Sequence, residues 1–184
     1  MLASSPYREM LGLPHDQNFL VDYSPEWPRL FIVEKRSLAA AFGPLPHAIE
    51  HVGSTSVEGM KAKPILDILI GIPRLDGYAT YRPVLETLGY DHATQAGVPG
   101  HQIFGRGRTR DERTHIVHFV EMDGACWRAM LAFRDALRAD PRLRAEYEAT
   151  KTASVKKAPD SRARYNELKA GFFAKLNLHA PGRA

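Results

Sequence analysis

"IEHVGSTSVEGMKAKPILDILIGI", residues 49–72, decides how the chain is read. A Gly-Ser turn follows one apolar run, and the next run carries a single carboxylate, Asp67, among Ile and Leu. Burying such a group costs on the order of several kcal/mol unless a cation or hydrogen-bond donors face it. Gly53 lets backbone approach a ligand closely, and the successive N–H groups and hydroxyls of Ser54, Thr55 and Ser56 can cradle phosphate oxygens. Asp67 follows Ser54 after twelve intervening residues, with Lys63 just before it. A phosphate cradle facing a strand carboxylate is what metal-assisted phosphoryl transfer requires, because Mg²⁺ bridges protein oxygens and phosphate.

The segment "PILDILIGI" is too apolar to be half exposed and reads as a central strand covered on both faces, with "HAIEHV" a short strand before it. Upstream, "SPEWPRLFIVEKRSLAAAF" has Ser24 as N-cap and Pro25 at the first helical position. Its Trp27, Leu30, Phe31, Leu38 and Phe42 recur at helical spacing, and Gly43 and Pro44 stop it. Downstream, "DGYATYRPVLETLGY" reads as a helix despite Pro83, and "HQIFGR" and "THIVHFVE" as strands. The loop "GRGRTRDER" between them, with four arginines and two glycines, suits a solvated hairpin or a phosphate-facing flap, the hairpin being the simpler. After "MDG" the pattern is helical three times over, in "ACWRAMLAFRDALRAD", "PRLRAEYEATKTASVKK" and "PDSRARYNELKAGFFAKL". The expected architecture is α/β (α+β): a small mixed sheet flanked by helices, followed by a C-terminal helical segment. Residues 1–20 read as an irregular leader, 21–176 as one domain that is helical from about residue 125, and 177–184 as a tail.

A chain of 184 residues that is 44% hydrophobic and 25% charged is an ordinary globular protein, which excludes disordered and fibrous classes. The apolar stretch between Pro64 and Pro73 is about half a membrane span and is broken by Asp67, so no transmembrane helix is expected. The N-terminus lacks the pattern of a secretory signal, and the lone Cys126 rules out an internal disulfide or a CxxC zinc site, which fits a reducing cytoplasm. The net charge of +4 is uneven: from Arg142 onward ten Lys or Arg face four acidic residues, or +6. A basic segment of this kind either holds phosphates or forms a solvated helix face. Without exposed aromatics interleaved along a groove, nucleic acid is disfavoured as its partner.

Neither a GxxxxGK[ST] loop nor a GxGxxG fingerprint is present, which removes P-loop and Rossmann nucleotide binding. Tyr147…Lys151 and Tyr165…Lys169 are both Y-x-x-x-K, a spacing that puts phenol and ammonium on one helix face. The simplest account is two amphipathic helices with packed tyrosines and snorkelling lysines; phosphate binding by those lysines is the other. Alternation along "THIVHFVE" places Ile116, His118 and Val120 on one face and His115, Val117, Phe119 and Glu121 on the other. His118 is therefore either a pocket residue or a hydrogen-bonded core histidine, and His115 reaches the same site only through a bulge. Arg113 either clamps phosphate bidentately or pairs with Asp111 or Glu112. His51 and His101 lie close to the same elements, and Trp27, Trp127 and Phe133 read more simply as core than as stacking platforms.

The Gly-Ser turn followed by a carboxylate-bearing strand resembles the nucleotidyltransferase superfamily of the DNA polymerase β type, whose pattern is hG[GS] and then [DE]h[DE]. Taken together, "SPEWP", "IEHVGSTSVEGMKAKPILDI", "RTHIVHFVE", "LAFRDALRADP" and the tail Y…K spacing identify the chain, from about Val21 to Phe173, as similar to the GrpB family within that superfamily. The resemblance implies a nucleotidyltransferase-like fold. It also implies a divalent cation, Mg²⁺ or Mn²⁺, at Asp67 with His118 as auxiliary ligand or base, and Gly53, Ser54, Thr55, Ser56, Lys63, Arg113 and His115 around the phosphates. One departure stands out. The superfamily's second strand carboxylate would fall at Leu69, and family members often carry a further histidine where this chain has Ile116.

Two functional expectations follow. In the first, the chain is a nucleotidyltransferase-like enzyme that moves a nucleotidyl or phosphoryl-containing group from a nucleoside triphosphate to a small acceptor. In the second, it is a non-catalytic module whose metal site has decayed at Leu69 and which binds a nucleotide, a coenzyme or a protein partner.

Overall fold

The computed structural model describes residues 10–94, 99–109 and 111–175. The first nine residues of the expected leader, Arg110 of the arginine loop and the tail after residue 175 lie outside that range. In chain order the elements are β1 (Leu13–Pro14), α1 (Glu26–Phe42), β2 (Ala48–Val52), β3 (Leu66–Ile72), α2 (Tyr78–Thr87), β4 (Asp91–His92), β5 (Gln102–Arg106), β6 (Glu112–Arg113), β7 (His115–Glu121), α3 (Ala125–Ala139), α4 (Pro141–Lys157) and α5 (Arg162–Lys175). The expected α/β plan with a C-terminal helical segment is present. No helix among the described residues is long and apolar enough to cross a membrane.

The strand order is β2-β3-β7-β5-β4, with β3 and β7 parallel and the other neighbours antiparallel. β3 is thus interior to a mixed sheet, which explains its near-continuous apolar run. Register places Asp67 between Val52 and Ile116, and Leu69 between Glu50 and His118. Because paired residues share a face, the sheet has two distinct sides. Ile68, Ile70, Ile72, Phe104, Val117 and Phe119 pack with Trp27, Phe31, Leu38 and Phe42 of α1 and Tyr81 and Leu85 of α2. On the other side Val52, Leu69 and Val120 pack with Trp127 and Met130 of α3. Phe133 and Leu137 of α3 then join Tyr147 of α4 and Phe172 and Phe173 of α5. The three C-terminal helices are therefore a layer on the Asp67 side of the sheet.

Local chemistry sets the ends of these helices. The backbone N–H of Glu26 donates to the Ser24 hydroxyl at 3.2 Å, and α1 begins one residue later than Pro25. At α4 the Asp140 carboxylate accepts from the N–H groups of Arg142 and Leu143, with Pro141 at the first position. The arginine-rich loop joins antiparallel β5 and β7, so it is the expected hairpin.

The expected leader is largely irregular over its described residues, but it is not loose. From residue 10 it is tied to the body, with Leu13 fully buried, β1 paired antiparallel with β6, and Gly12 N–H donating to the Pro64 carbonyl at 2.8 Å. Asn18 is buried too, and its amide donates to the Ala158 carbonyl at 2.7 Å. A two-residue strand has too little alternation to announce itself in sequence.

Candidate functional site

Between the Asp67 side of the sheet and the helical layer lies a cavity of about 530 Å³, well within the size of small-molecule sites. Gly53, Ser54 and Thr55 form one wall of it. Gly53 has φ +68°, and a Cβ there would sit 2.3 Å from Asp67 Oδ2. The glycine is required both by its conformation and by the carboxylate pressed against it. Thr55 Oγ1 lies 3.0 Å from His51 Nε2, and the Ser56 hydroxyl donates to the Gly53 carbonyl at 2.6 Å. Ser56 therefore braces the turn and does not line the cavity, contrary to its expected role. The hydroxyl of Ser54 faces the cavity and accepts from Lys151 Nζ at 3.0 Å.

Lysines from three elements meet here. Lys63 Nζ donates to Asn18 Oδ1 at 2.5 Å and sits 3.5 Å from the centre of the Tyr165 ring. Lys169 Nζ lies 4.5 Å from the centre of that same ring. Lys151, 2% exposed, also donates to the Lys61 carbonyl and lies 5.2 Å from the Tyr147 ring centre. Burial and then the Lys169 ammonium lower Lys63 to about 6 and Lys151 to about 7, against the opposing pull of Asp67. Burial also lowers Lys169, to about 8, again opposed by Asp67. Arg162 is lowered by burial and by Arg113. Its Nη2 donates to the Pro14 carbonyl at 3.2 Å, while its Nε is buried without a hydrogen-bond partner. Arg113 crosses bare strand at Gly105, where a Cβ would come within 2.4 Å of its Nε, and its Nη2 donates to Asp91 at 2.8 Å. Lys63, Arg113, Lys151, Arg162 and Lys169 thus share the lining with Asp67, its one acidic side chain among the described residues.

His118 also lines the cavity, with Nε2 3.7 Å from Asp67 Oδ1. Its Nδ1 is buried without a partner, and its ring meets His101 edge to face at 5.7 Å. A divalent ion would find Asp67 and His118 here, and no group of three or more His, Cys, Asp or Glu able to hold a metal exists among the described residues. Leu69, where a second carboxylate was expected, is fully buried against α3. Hard cations need several oxygen ligands. One carboxylate and one imidazole among three lysines and two arginines do not fit a resident Mg²⁺ or Mn²⁺.

His115 belongs to the opposite side of the sheet, as strict alternation without a bulge dictates, so its expected phosphate role is corrected. It lies in a buried polar cluster in which Glu34 accepts from Arg106 Nη2 at 2.6 Å and from the Tyr90 hydroxyl at 2.9 Å, with His115 Nε2 3.3 Å from Arg106 Nη2. Burial, and then Arg106, lower His115 to about 3. His51 is likewise on that side, stacked on Phe31 at 4.6 Å and lowered by burial to about 4. Neither His51 nor His101 lines the cavity.

Several lining residues have ordinary packing as their simpler reading in sequence. Tyr147, Lys151, Tyr165 and Lys169 are the two Y-x-x-x-K pairs, and all four face the cavity. Their repetition on successive helices was the available signal. Met130, Phe133 and Phe173 supply an apolar wall, and His15 and Arg162 had no signal in sequence at all.

The sequence profile of the GrpB protein family matches residues 18–178. The glutamate-rich protein GrpB of Alkalihalophilus pseudofirmus is 34% identical over 166 residues, covering 89% of this chain and 95% of that protein. The protein YqkA of Bacillus subtilis is 35% identical over 146 residues, covering 79% of this chain but 42% of its own length. Among solved structures, the conserved protein GrpB from Enterococcus faecalis superimposes with a TM-score of 0.71 at 27% identity, over 86% of this chain and 99% of that one. A more distant likeness, TM-score 0.48 at 11% identity over 73% of this chain and 43% of the other, is to the Cid1 poly(U) polymerase, and at that distance it has no bearing on activity. With its profile match running from Asn18 almost to the C-terminus, the chain belongs to the GrpB protein family.

Proposed function

We propose that the cavity binds a phosphorylated small molecule of the nucleotide kind. The observation that carries this reading is the convergence of Lys63, Lys151 and Lys169 with the Gly53–Ser54 turn on one enclosed space. Phosphate is the ligand group that uses a glycine turn, a hydroxyl and several cations together. The apolar wall of Met130, Phe133 and Phe173 suits the non-phosphate part of such a molecule.

Nucleotidyl or phosphoryl transfer to a small acceptor is the reaction this arrangement supports. The acceptor oxygen bonds to phosphorus while the bond to the departing phosphate breaks. Asp67 takes the acceptor's proton, and the lysines meet the charge that develops on the leaving oxygens. A second reading, binding without turnover, is favoured by one specific observation: Leu69 fills the position of the second carboxylate.

Thermal unfolding against ATP, GTP, CTP and UTP, each beside its nucleoside, tests the binding. A ligand at about a hundred times its dissociation constant adds roughly 2.7 kcal/mol, several degrees for a domain of this size. Nucleotides are expected to raise the midpoint and nucleosides to leave it unchanged; equal behaviour of the two sets would sink the reading. Phosphorus NMR of a nucleotide held with mixed acceptors then separates transfer from simple binding, since only transfer releases a new phosphate resonance.

A further inference from the structure

Resting on the phosphate-pocket reading, we propose that Lys63, Lys151 and Lys169 take the charge-neutralising place of a divalent ion, so that the site selects polyphosphate in its metal-free form. The charges on the lining point this way. Three lysines and two arginines, Arg113 already paired with Asp91, share the described lining with one carboxylate; once an anion holds the lysines protonated, they and Arg162 carry an excess of positive charge that a single phosphate does not balance. A chain of phosphates does. Chelation by Mg²⁺ cancels part of that ligand charge and brings a second cation into a space already crowded with ammonium groups.

The protein also withholds what a metal would need. Asp67 and His118 are its donors, and the position that would complete the set is Leu69, sealed beneath Trp127 and Met130. The ammonium of Lys151 is instead tethered to Ser54, in the turn best shaped to hold phosphate oxygens. Lys63 and Lys169 both hold their amines over the Tyr165 ring, a placement that favours their charged forms. The amines that take up positive charge beside an anion are therefore built into the scaffold from β3's approach, α4 and α5, and need no metal ion to join them. Arg162, which lines the same cavity, has a further donor to offer in its buried, unpartnered Nε.

Isothermal titration calorimetry with inorganic orthophosphate, pyrophosphate and tripolyphosphate, in EDTA and in excess Mg²⁺, tests the proposal on the wild-type chain. Affinity is expected to rise with phosphate number in EDTA and to fall when Mg²⁺ is added. Lys169→Met and Lys151→Met are each expected to weaken tripolyphosphate by about ten- to a hundredfold, the value of a charge-assisted hydrogen bond, with folding checked by circular dichroism. Asp67→Asn is expected to bind metal-free tripolyphosphate at least as tightly as the wild type. Binding that is equal or tighter with Mg²⁺, or lost in Asp67→Asn, overturns the substitution of lysines for metal and leaves the phosphate pocket standing. Absence of binding by every phosphate in both conditions overturns both.

Discussion

Lys151 gives the sharpest quantitative expectation, because a buried ammonium leaves a signature in the pH dependence of stability. Its proton is released near pH 7 in the folded chain and near 10.5 when unfolded. Between those values the unfolded state binds one more proton, so stability rises with pH by up to about 1.4 kcal/mol per unit. Integrated from pH 7 to 9, Lys151 alone contributes about 2 kcal/mol, which is roughly 4–8 °C in midpoint for a domain of this size. Lys63, released from about 6, and Lys169, released from about 8, act in the same direction. Most other shifted groups act outside this window, the burial-raised Cys126 thiol opposing the rise only near its upper end. His51, His101 and His115 are lowered to about 4, about 4 and about 3, so their effect also rises with pH but is complete by about pH 7. Tyr147 and Tyr165, both raised by burial, pull stability down only above about pH 10. Urea unfolding at steps from pH 7 to 9, in dilute buffers free of phosphate and sulfate, should show the rise. Lys151→Met should be less steep than wild type and, having no buried charge to shed, should gain relative to it at the acid end. A flat or falling wild-type profile, or an unchanged slope in Lys151→Met, would refute the assignment of a desolvated ammonium to this position.

Three further outcomes are expected. Gly53→Ala should cost about 1–3 kcal/mol in urea unfolding, since it combines a residue at positive φ with a Cβ set against Asp67, and it should weaken phosphate binding by moving that carboxylate. Leu69→Asp should lose about 3–5 kcal/mol by the same measure and gain no detectable Mg²⁺ affinity by calorimetry, because the new carboxylate is sealed among Val52, Val120, Trp127 and Met130. Glu34→Gln should cost about 2–3 kcal/mol by leaving the Arg106 guanidinium without its carboxylate, with phosphate affinity unchanged, since that cluster lies on the far side of the sheet.

Much of this could be read from single residues. β3 was legible because only an interior strand is apolar on both faces, and Asp67 was legible as the one charge in it. The parity of β7 assigned His118 and His115 to opposite sides, and a phosphate role for His115 needed a bulge that β7 does not have. Leu69 was legible as an anomaly, but only packing shows that it is sealed in by α3. The lysines were the harder case. A Y-x-x-x-K pair looks the same on a solvated helix face as on a cavity wall, and what separates the two is where α4 and α5 dock, which local periodicity does not encode. His15, Arg162 and the buried leader depend on contacts across nearly the whole chain, such as Arg162 to Pro14, and no local pattern announces those.

Those same contacts bear on how the chain folds. Ser54 meets Lys151 from 97 positions away, and Pro14 meets Arg162 from 148. Loops of that length close late, after the sheet and its nearer helices have formed. A fragment ending before α4 would retain Asp67 and the glycine turn yet lack two of the three lysines. During synthesis the cavity is therefore among the last features to be completed. Ligand in the cavity then fastens β1's neighbourhood to α5, so it should slow unfolding from either end of the molecule at once.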